Sequence, residues 1–307
     1  MQMLWNPSQM QACVLVLGMF DGVHRAHRTL FAEGRTLADA YGVPLCVCTF
    51  EPHPLELLAP AAAPARLSTQ SERAQLIAEA GVDFLCVHRF TRELADQEPD
   101  DFLRDILRIY RPVALVCGYN FTFGRRGAGT VDRIRAFCAA QGIRASVIPP
   151  VLWEGQPISS TRVRAALEAG DLPLANQLLG HPYSLCGTVV HGKGLGHTLS
   201  YPTANLQVSS KKLLPAYGVY VCTLETADRR WPAVVNIGRH PTVPDGSVTV
   251  EAFVLEGSPE LYGAQARLRL LERLRAEQTF AGLDALHQQL SRDAGAARTW
   301  FSQTKGD

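Results

Sequence analysis

Cys13-Val14-Leu15-Val16-Leu17-Gly18-Met19-Phe20-Asp21-Gly22-Val23-His24-Arg25-Ala26-His27 reads as a buried strand running into a tight turn that sets two histidines at the mouth of a helix. Five apolar residues without alternation suit a parallel strand covered on both faces, and Arg28 to Tyr41 carries the helical pattern that follows. Gly18 and Gly22 let the backbone turn sharply and approach a ligand. A helix N-terminus favours negative charge, so a phosphate suits this turn and two imidazoles would stabilise its charge in transfer. Glycine-rich strand-to-helix turns also occur with no such role, and these residues alone leave both readings open.

Outward from the turn, apolar runs alternate with helical patterns: Leu45 to Phe50, Gln70 to Ala80, Phe84 to Val87, Asp101 to Tyr110 with Asp100 as cap, Val113 to Val116, Val131 to Ala140 and Ala145 to Ile148. This alternation predicts an α/β domain with a parallel sheet covered by helices on both faces. After Gly180-His181-Pro182-Tyr183 the period changes to short runs, Thr188 to Val190, Val219 to Leu224, Val234 to Ile237 and Val248 to Leu255, as in a small antiparallel β-barrel. A terminal helix follows, with Leu283, Leu286, Leu290, Ala294, Ala297 and Phe301 on one stripe. The domains are placed at 1–182 and 183–307, and Pro60-Ala61-Ala62-Ala63-Pro64 reads as a mobile loop.

The chain has 307 residues, enough for two modest cores, and its 30 Lys and Arg balance 29 Asp and Glu. That balance gives no global attraction for nucleic acid or a membrane surface. No apolar run approaches bilayer length, and the start lacks a basic region followed by an apolar core, so a cytoplasmic protein is expected. The eight cysteines lie mostly in apolar runs and form no Cys-x-x-Cys pair, which predicts buried thiols and no metal site.

In an open parallel sheet, ligands bind beyond the carboxyl ends of the strands. Four segments fall there: His24 and His27; Phe50-Glu51-Pro52-His53-Pro54; Gly118-Tyr119-Asn120-Phe121-Thr122-Phe123-Gly124; and Ile158-Ser159-Ser160-Thr161-Arg162-Val163-Arg164. Hydroxyls and arginines at a helix start form an anion clamp, although Ser159 to Thr161 in isolation also read as ordinary caps. Phe121 and Phe123 alone read as core, and His53 as a rigid loop residue.

Taken in order, these four segments resemble the adenylyltransferase domain of bacterial bifunctional riboflavin kinase/FAD synthetases. The resemblance implies a Rossmann-like nucleotidyltransferase domain that transfers AMP from ATP to FMN and releases pyrophosphate. It implies that His24 and His27 are catalytic and contact the ATP phosphates, that Gly18, Phe20, Asp21 and Gly22 line the ATP turn, and that Ser160, Thr161 and Arg162 hold the β- and γ-phosphates. Asn120, Phe121 and Phe123 are implied to hold FMN, and Asp21 either orders the turn or acts near a metal. Ala26 departs from the glycine usual between the two histidines, which predicts altered ATP binding.

The second half resembles the riboflavin kinase domain of the same family through His191-Gly192-Lys193-Gly194-Leu195-Gly196, Tyr201-Pro202-Thr203-Ala204-Asn205, Asn236 to Thr242, Val250-Glu251-Ala252-Phe253, Leu261-Tyr262-Gly263 and Leu274-Arg275-Ala276-Glu277. The resemblance implies phosphorylation of riboflavin by ATP with Mg2+. Gly192, Lys193, Gly194, Gly196, Pro202, Thr203 and Asn205 would wrap the phosphates, Thr203 and Asn205 would bind the metal, Glu251 would be the base, and Arg275 and Glu277 would close over flavin. Without the resemblance, the glycine loop and the following polar turn bind phosphate or nothing, Glu251 reads as a solvent-facing strand residue, and Arg275 and Glu277 as a charged helix end. Leu195, His197, Ser200 and Tyr201 depart from the family pattern and make the kinase half the less secure one. Expected partners are riboflavin, FMN, FAD and ATP, without nucleic acid or membrane, in a monomer or weak homo-oligomer. The rivals are an FAD synthetase with an impaired kinase half, an inactive flavin- or nucleotide-binding regulator, and a cytidylyltransferase or pantetheine-phosphate adenylyltransferase.

Overall fold

The computed structural model describes residues 1–191, 203–239, 248–257 and 259–304. The chain divides into two compact units, Met1–Ser160 and Thr161–Asp307.

The first unit is built on six parallel strands: β1 (Gln2–Trp5), β2 (Cys13–Leu17), β3 (Leu45–Glu51), β4 (Phe84–Arg89), β5 (Pro112–Gly118) and β6 (Arg144–Ile148). They lie in the order β1-β4-β3-β2-β5-β6; the short helices α2 (Pro54–Leu58) and α4 (Arg92–Ala95) lie in the connections, and a two-stranded ribbon of β7 (Leu152–Trp153) and β8 (Gln156–Pro157) follows the sheet. All five residues of β2 are 0–1 % exposed, because helices cover both faces. On one face α1 (Arg25–Tyr41) and α3 (Gln70–Glu79) bring Leu30, Phe31, Leu37, Leu76 and Ile77 onto Val14, Val16 and Val47. On the other, α5 (Pro99–Tyr110) and α6 (Val131–Ala140) bring Phe102, Leu103, Ile106, Ile134 and Cys138 onto Leu15, Leu17 and Cys48. Consecutive strands build outward from β2 through β3 to β4, and then β5 starts on the opposite side of β2. The carboxyl ends of β2 and β5 therefore flank the point where strand order reverses, the place an open α/β sheet offers a ligand.

Gly34 shows how closely α1 is seated. A Cβ there would stand 2.7 Å from Leu45 Cδ1 and 2.8 Å from Val16 Cγ2. Overpacking of this kind costs about 1–3 kcal/mol, more than the roughly 1 kcal/mol that alanine gains in helix propensity. Gly34→Ala is expected to lower the unfolding midpoint of the first unit by several degrees in calorimetry and to leave that of the barrel unchanged.

Some sequence expectations need correction. Helix α1 starts at Arg25, three residues before the expected Arg28, because the His24 side chain accepts the His27 N–H at 3.3 Å and its carbonyl accepts the Arg28 N–H at 3.1 Å. Helix α5 starts at Pro99 with Glu98 as cap, so Asp100 lies in its first turn; the fixed φ of proline suits that first position. Within the expected loop, residues Pro60–Ala62 take one turn of 3₁₀ helix, which leaves the loop reading in place. Strand β1 was not legible at all: its edge position leaves Gln2, Met3 and Trp5 exposed, which blurs alternation.

The second unit begins with the remainder of α7 (Ser160–Ala169) and with α8 (Leu172–Leu179), and continues as six antiparallel strands: β9 (Ser184–Val190), β10 (Thr203–Val208), β11 (Gly218–Glu225), β12 (Arg230–Arg239), β13 (Val248–Val254) and β14 (Gln265–Ala276). They close into a barrel in the order β10-β13-β12-β11-β14-β9. The C-terminal helix Leu283–Thr304 buries Ala294 and Ala297 against Val219, Val221, Val234 and Leu255, with Trp300 and Phe301 packed beside them. Two readings change here. Thr203 to Asn205, expected as a rigid turn, open β10, paired on both sides by β9 and β13. Arg275 lies on β14 and not on a helix end; in β14 buried Ala266, Leu268 and Leu270 alternate with arginines.

Among the described residues no helix is long and apolar enough to cross a membrane. All eight cysteines are free; seven are buried and Cys186 is partly so. Burial pushes the Cys48 thiol up to about 12 and the Cys117 and Cys138 thiols to about 11, which keeps them protonated and unreactive.

Candidate active sites

The turn after β2 is held from below. Gly18 N–H donates to Cys48 O at 3.3 Å, and a Cβ on Gly18 would lie 2.6 Å from the Phe20 ring. Phe20 and Val23 take left-handed φ of 55° and 43°, although both are fully buried. Such strain persists only where surrounding contacts over-determine the backbone, and it concentrates at functional sites. Those contacts are visible. The Asp21 carboxylate accepts from Leu67 N (3.1 Å), Ser68 N (2.9 Å) and Ser68 Oγ (3.1 Å), and Gly22 N donates to the same Ser68 Oγ at 2.9 Å. Asp21 is 3 % exposed and orders the turn.

The result is a stacked imidazole pair. The rings of His24 and His27 lie 3.6 Å apart and 14° from parallel, with the Phe20 ring edge-on to His27 at 5.2 Å. His27 Nδ1 is buried without a hydrogen-bond partner. Burial first, and then the neighbouring His24, hold the His27 pKa well below the ordinary histidine value, so the ring is neutral at pH 7. A neutral imidazole keeps one N–H to donate, and beside a helix N-terminus such a donor suits an anion. Ala26 stands between the two histidines in the first turn of α1, partly buried.

Ser160 joins this turn through its hydroxyl, which donates to Asp21 O at 3.0 Å. Thr161 and Arg162 follow in the first turn of α7; Thr161 is exposed and Arg162 partly buried. Beyond β5, Asn120 is exposed, and a Cβ on Gly118 would come 3.3 Å from its Oδ1. Phe121 and Phe123 stack at 5.9 Å, with Phe123 buried against Phe102 at 5.2 Å and Phe121 partly open. Phe123 therefore braces the loop from the core, and Asn120 and Phe121 are the members left at its surface. His53 caps the short helix α2 (Pro54–Leu58) by accepting Leu55 N–H at 3.2 Å.

The barrel supplies a second constellation. Asn205 on β10 is directly opposite Glu251 on β13, and Glu251 is directly opposite Asn236 on β12. Opposed residues of antiparallel strands share a face, with Cβ atoms about 4.5–5.5 Å apart. Thr203, two residues before Asn205, lies on that face as well. Two hard oxygen donors thus adjoin a carboxylate. The row continues through Val219 on β11 to Arg275 on β14, three strands from Glu251 around the closed barrel. Arg275 is held by the C-terminal helix: its Nε and Nη2 donate to the Asp293 carboxylate at 3.1 and 2.8 Å. Glu277 lies beyond β14 with its carboxylate against Gly238, two residues along β12 from Asn236. Gly192, Lys193, Gly194, Gly196 and Pro202 lie outside the described residues.

Three positions at these sites were not read from the sequence. Asn236 was quoted only within a longer segment, and its place beside Glu251 depends on strand register. Ser68 stands just before Thr69, which forms a capping box with Glu72, and carries no motif of its own. Arg73 lies inside α3, where it is buried with Glu72, Leu76 and Ile77, and no motif marks it.

Comparison with known proteins covers both units. A family model described as FAD synthetase matches residues 6–162, and one described as riboflavin kinase matches residues 179–301. The bifunctional riboflavin kinase/FMN adenylyltransferase of Escherichia coli K12 is 38 % identical over 297 residues, 96 % of this chain and 95 % of that protein. The Bacillus subtilis protein of the same description is 31 % identical over 302 residues, 95 % of this chain and 93 % of that one. A solved structure described as a macrolide-efflux protein from Streptococcus pneumoniae superimposes with a TM-score of 0.88 at 29 % identity, covering 98 % of this chain and 100 % of that one.

Proposed function

Because the chain belongs to the family of bifunctional riboflavin kinase/FMN adenylyltransferases, we propose a division of its chemistry between the two constellations just described. The enzyme phosphorylates riboflavin to FMN and adenylylates FMN to FAD, using ATP in both steps. Adenylyl transfer belongs to the histidine turn within residues 1–182, and phosphorylation to the barrel within 183–307. The observation that carries the assignment is the stacked His24–His27 pair at the sheet's reversal point, with a buried imidazole nitrogen left to be satisfied.

Attack of the FMN phosphate on the α-phosphorus of ATP forms one P–O bond and breaks another, releasing pyrophosphate. No protein nucleophile is needed, only alignment and stabilisation of charge. His24 and His27 donate to the phosphate oxygens; Ser160, Thr161 and Arg162 hold the pyrophosphate portion; the Gly18, Phe20 and Gly22 backbone lets the nucleotide approach. Asn120 and Phe121 position the flavin nucleotide, with Phe123 behind them. Ala26 adds one methyl beside the phosphates and alters ATP affinity.

In the barrel, Glu251 accepts the proton of riboflavin's 5′-hydroxyl as the oxygen attacks the γ-phosphate of ATP. Thr203 and Asn205 offer oxygen donors next to this carboxylate, a hard donor set that fits Mg2+ shared with substrate phosphates. When bound, Mg2+ neutralises charge on the transferring phosphoryl group. Gly192, Lys193, Gly194, Gly196 and Pro202 complete the phosphate loop, with Arg275 and Glu277 on the flavin side. The enzyme is cytoplasmic and works as a monomer or weak homo-oligomer without nucleic acid.

Labelled ATP tests the assignment of phosphates. From riboflavin, the γ-phosphate label is expected in FMN and FAD, and the α-phosphate label in FAD alone. Removal of divalent cations by chelation is expected to stop label entry. An α-phosphate label in FMN would contradict the two reactions as assigned.

A further inference from the structure

Arg73 is a cation only 1 % exposed, on a helix that also buries Glu72, Leu76 and Ile77. A buried ion pair contributes little net stability compared with apolar packing of similar volume, so its presence calls for another account. Its guanidinium supplies one. Nη1 donates to Met19 O at 3.2 Å, inside the histidine turn, while Nη2 donates to Glu51 Oε2 at 2.7 Å and reaches Phe50 O at 3.5 Å, at the end of β3. The Thr49 hydroxyl donates to the same Met19 carbonyl at 3.1 Å. The other Glu51 oxygen accepts Arg66 Nη2 at 2.9 Å, and Arg66 Nε donates to Glu56 at 2.7 Å. A chain of four charges, Arg73, Glu51, Arg66 and Glu56, thus ties the turn after β2 to the segment after β3.

Met19 immediately precedes Phe20, whose left-handed backbone aims its ring at the edge of His27. We propose that Arg73 is a positioning residue for adenylyl transfer, fixing the Met19 carbonyl so that Phe20 and the stacked histidines keep the geometry in which they meet the ATP phosphates. This rests on the assignment of His27 to that reaction. Arg73 is buried and bonds Met19 O, Phe50 O and Glu51, so it acts through them; its planar fork is what serves three acceptors on two segments at once, which a lysine ammonium cannot.

Arg73→Lys keeps the charge and loses the fork. It is expected to lower kcat for FMN adenylylation by about 10- to 100-fold, the scale of a misplaced catalytic group, with KM for ATP and FMN within about twofold and riboflavin phosphorylation by the same preparation unchanged. The double variant Arg73→Met/Glu51→Gln removes both members of the buried pair together, so its unfolding midpoint is expected near that of the parent while kcat stays low. Wild-type kcat in Arg73→Lys, or kcat recovering along with the midpoint in the double variant, would overturn the proposal. His27→Ala in the same assay separates the premise from the inference: full adenylyl transfer there overturns the histidine assignment itself, and with it the role of Arg73.

Discussion

Replacement of His27 by alanine is expected to lower the rate of FAD formation from FMN by about 10²- to 10³-fold and to leave riboflavin phosphorylation within twofold of the parent. The magnitude is that of removing one preorganised donor from a site where charge develops, about 2.7–4 kcal/mol of transition-state stabilisation. His27 is suited to such a contribution because its ring is already fixed, stacked on His24 at 3.6 Å and braced by Phe20. Little reorganisation remains to be done when the phosphates arrive. Its Nδ1 makes no hydrogen bond in the folded protein, so truncation removes no hydrogen bond at that atom. The backbone of the helix start is unaffected, since the cap is the His24 side chain accepting the His27 N–H. Steady-state kinetics of each half-reaction, with FMN and with riboflavin as separate substrates, checks the expectation.

Glu251→Gln is expected to do the converse. Loss of a positioned base costs about 10²- to 10⁴-fold, so FMN formation falls by that factor while FMN is still converted to FAD at the parental rate. Glutamine keeps the shape of the side chain, and Glu251 is partly exposed on a strand paired on both sides, so the barrel ladder survives the change. The amide cannot accept the hydroxyl proton as it leaves, and it offers one oxygen where the carboxylate offered two. A kinase rate near that of the parent would show that the proton goes elsewhere and that Glu251 only fills its place between Asn205 and Asn236.

Much of this was legible in the sequence because the signals were local. Cys13 to Leu17 is an unbroken apolar run, and a central parallel strand needs one; the turn after it announced itself through Gly18, Gly22 and the paired histidines. Helix periodicity on α5 and α6 and the change of period after Gly180 separated an α/β unit from a barrel. What escaped was set by pairing across long sequence distances. Strand β14 carries arginines on one face, and its propensity was overridden by two neighbours, β11 and β9, that close the barrel. Asn236 is 15 residues from Glu251, read from their numbers, and becomes its neighbour only through the β12–β13 register. The Asp21 latch depends on Leu67 and Ser68, 46 and 47 residues away, and the Arg73 fork on Met19, 54 residues away. Polar side chains that serve a distant backbone leave no periodic trace, so the histidine pair was readable and the scaffold that fixes it was not.

The most direct test of two chemistries at two sites in one chain is chromatographic separation of the flavins made when His27→Ala is incubated with riboflavin, ATP and Mg2+. FMN is expected to accumulate at the parental rate with little FAD. FAD appearing as in the parent, or neither product forming from a folded protein, would contradict the division of the two reactions between the histidine turn and the barrel.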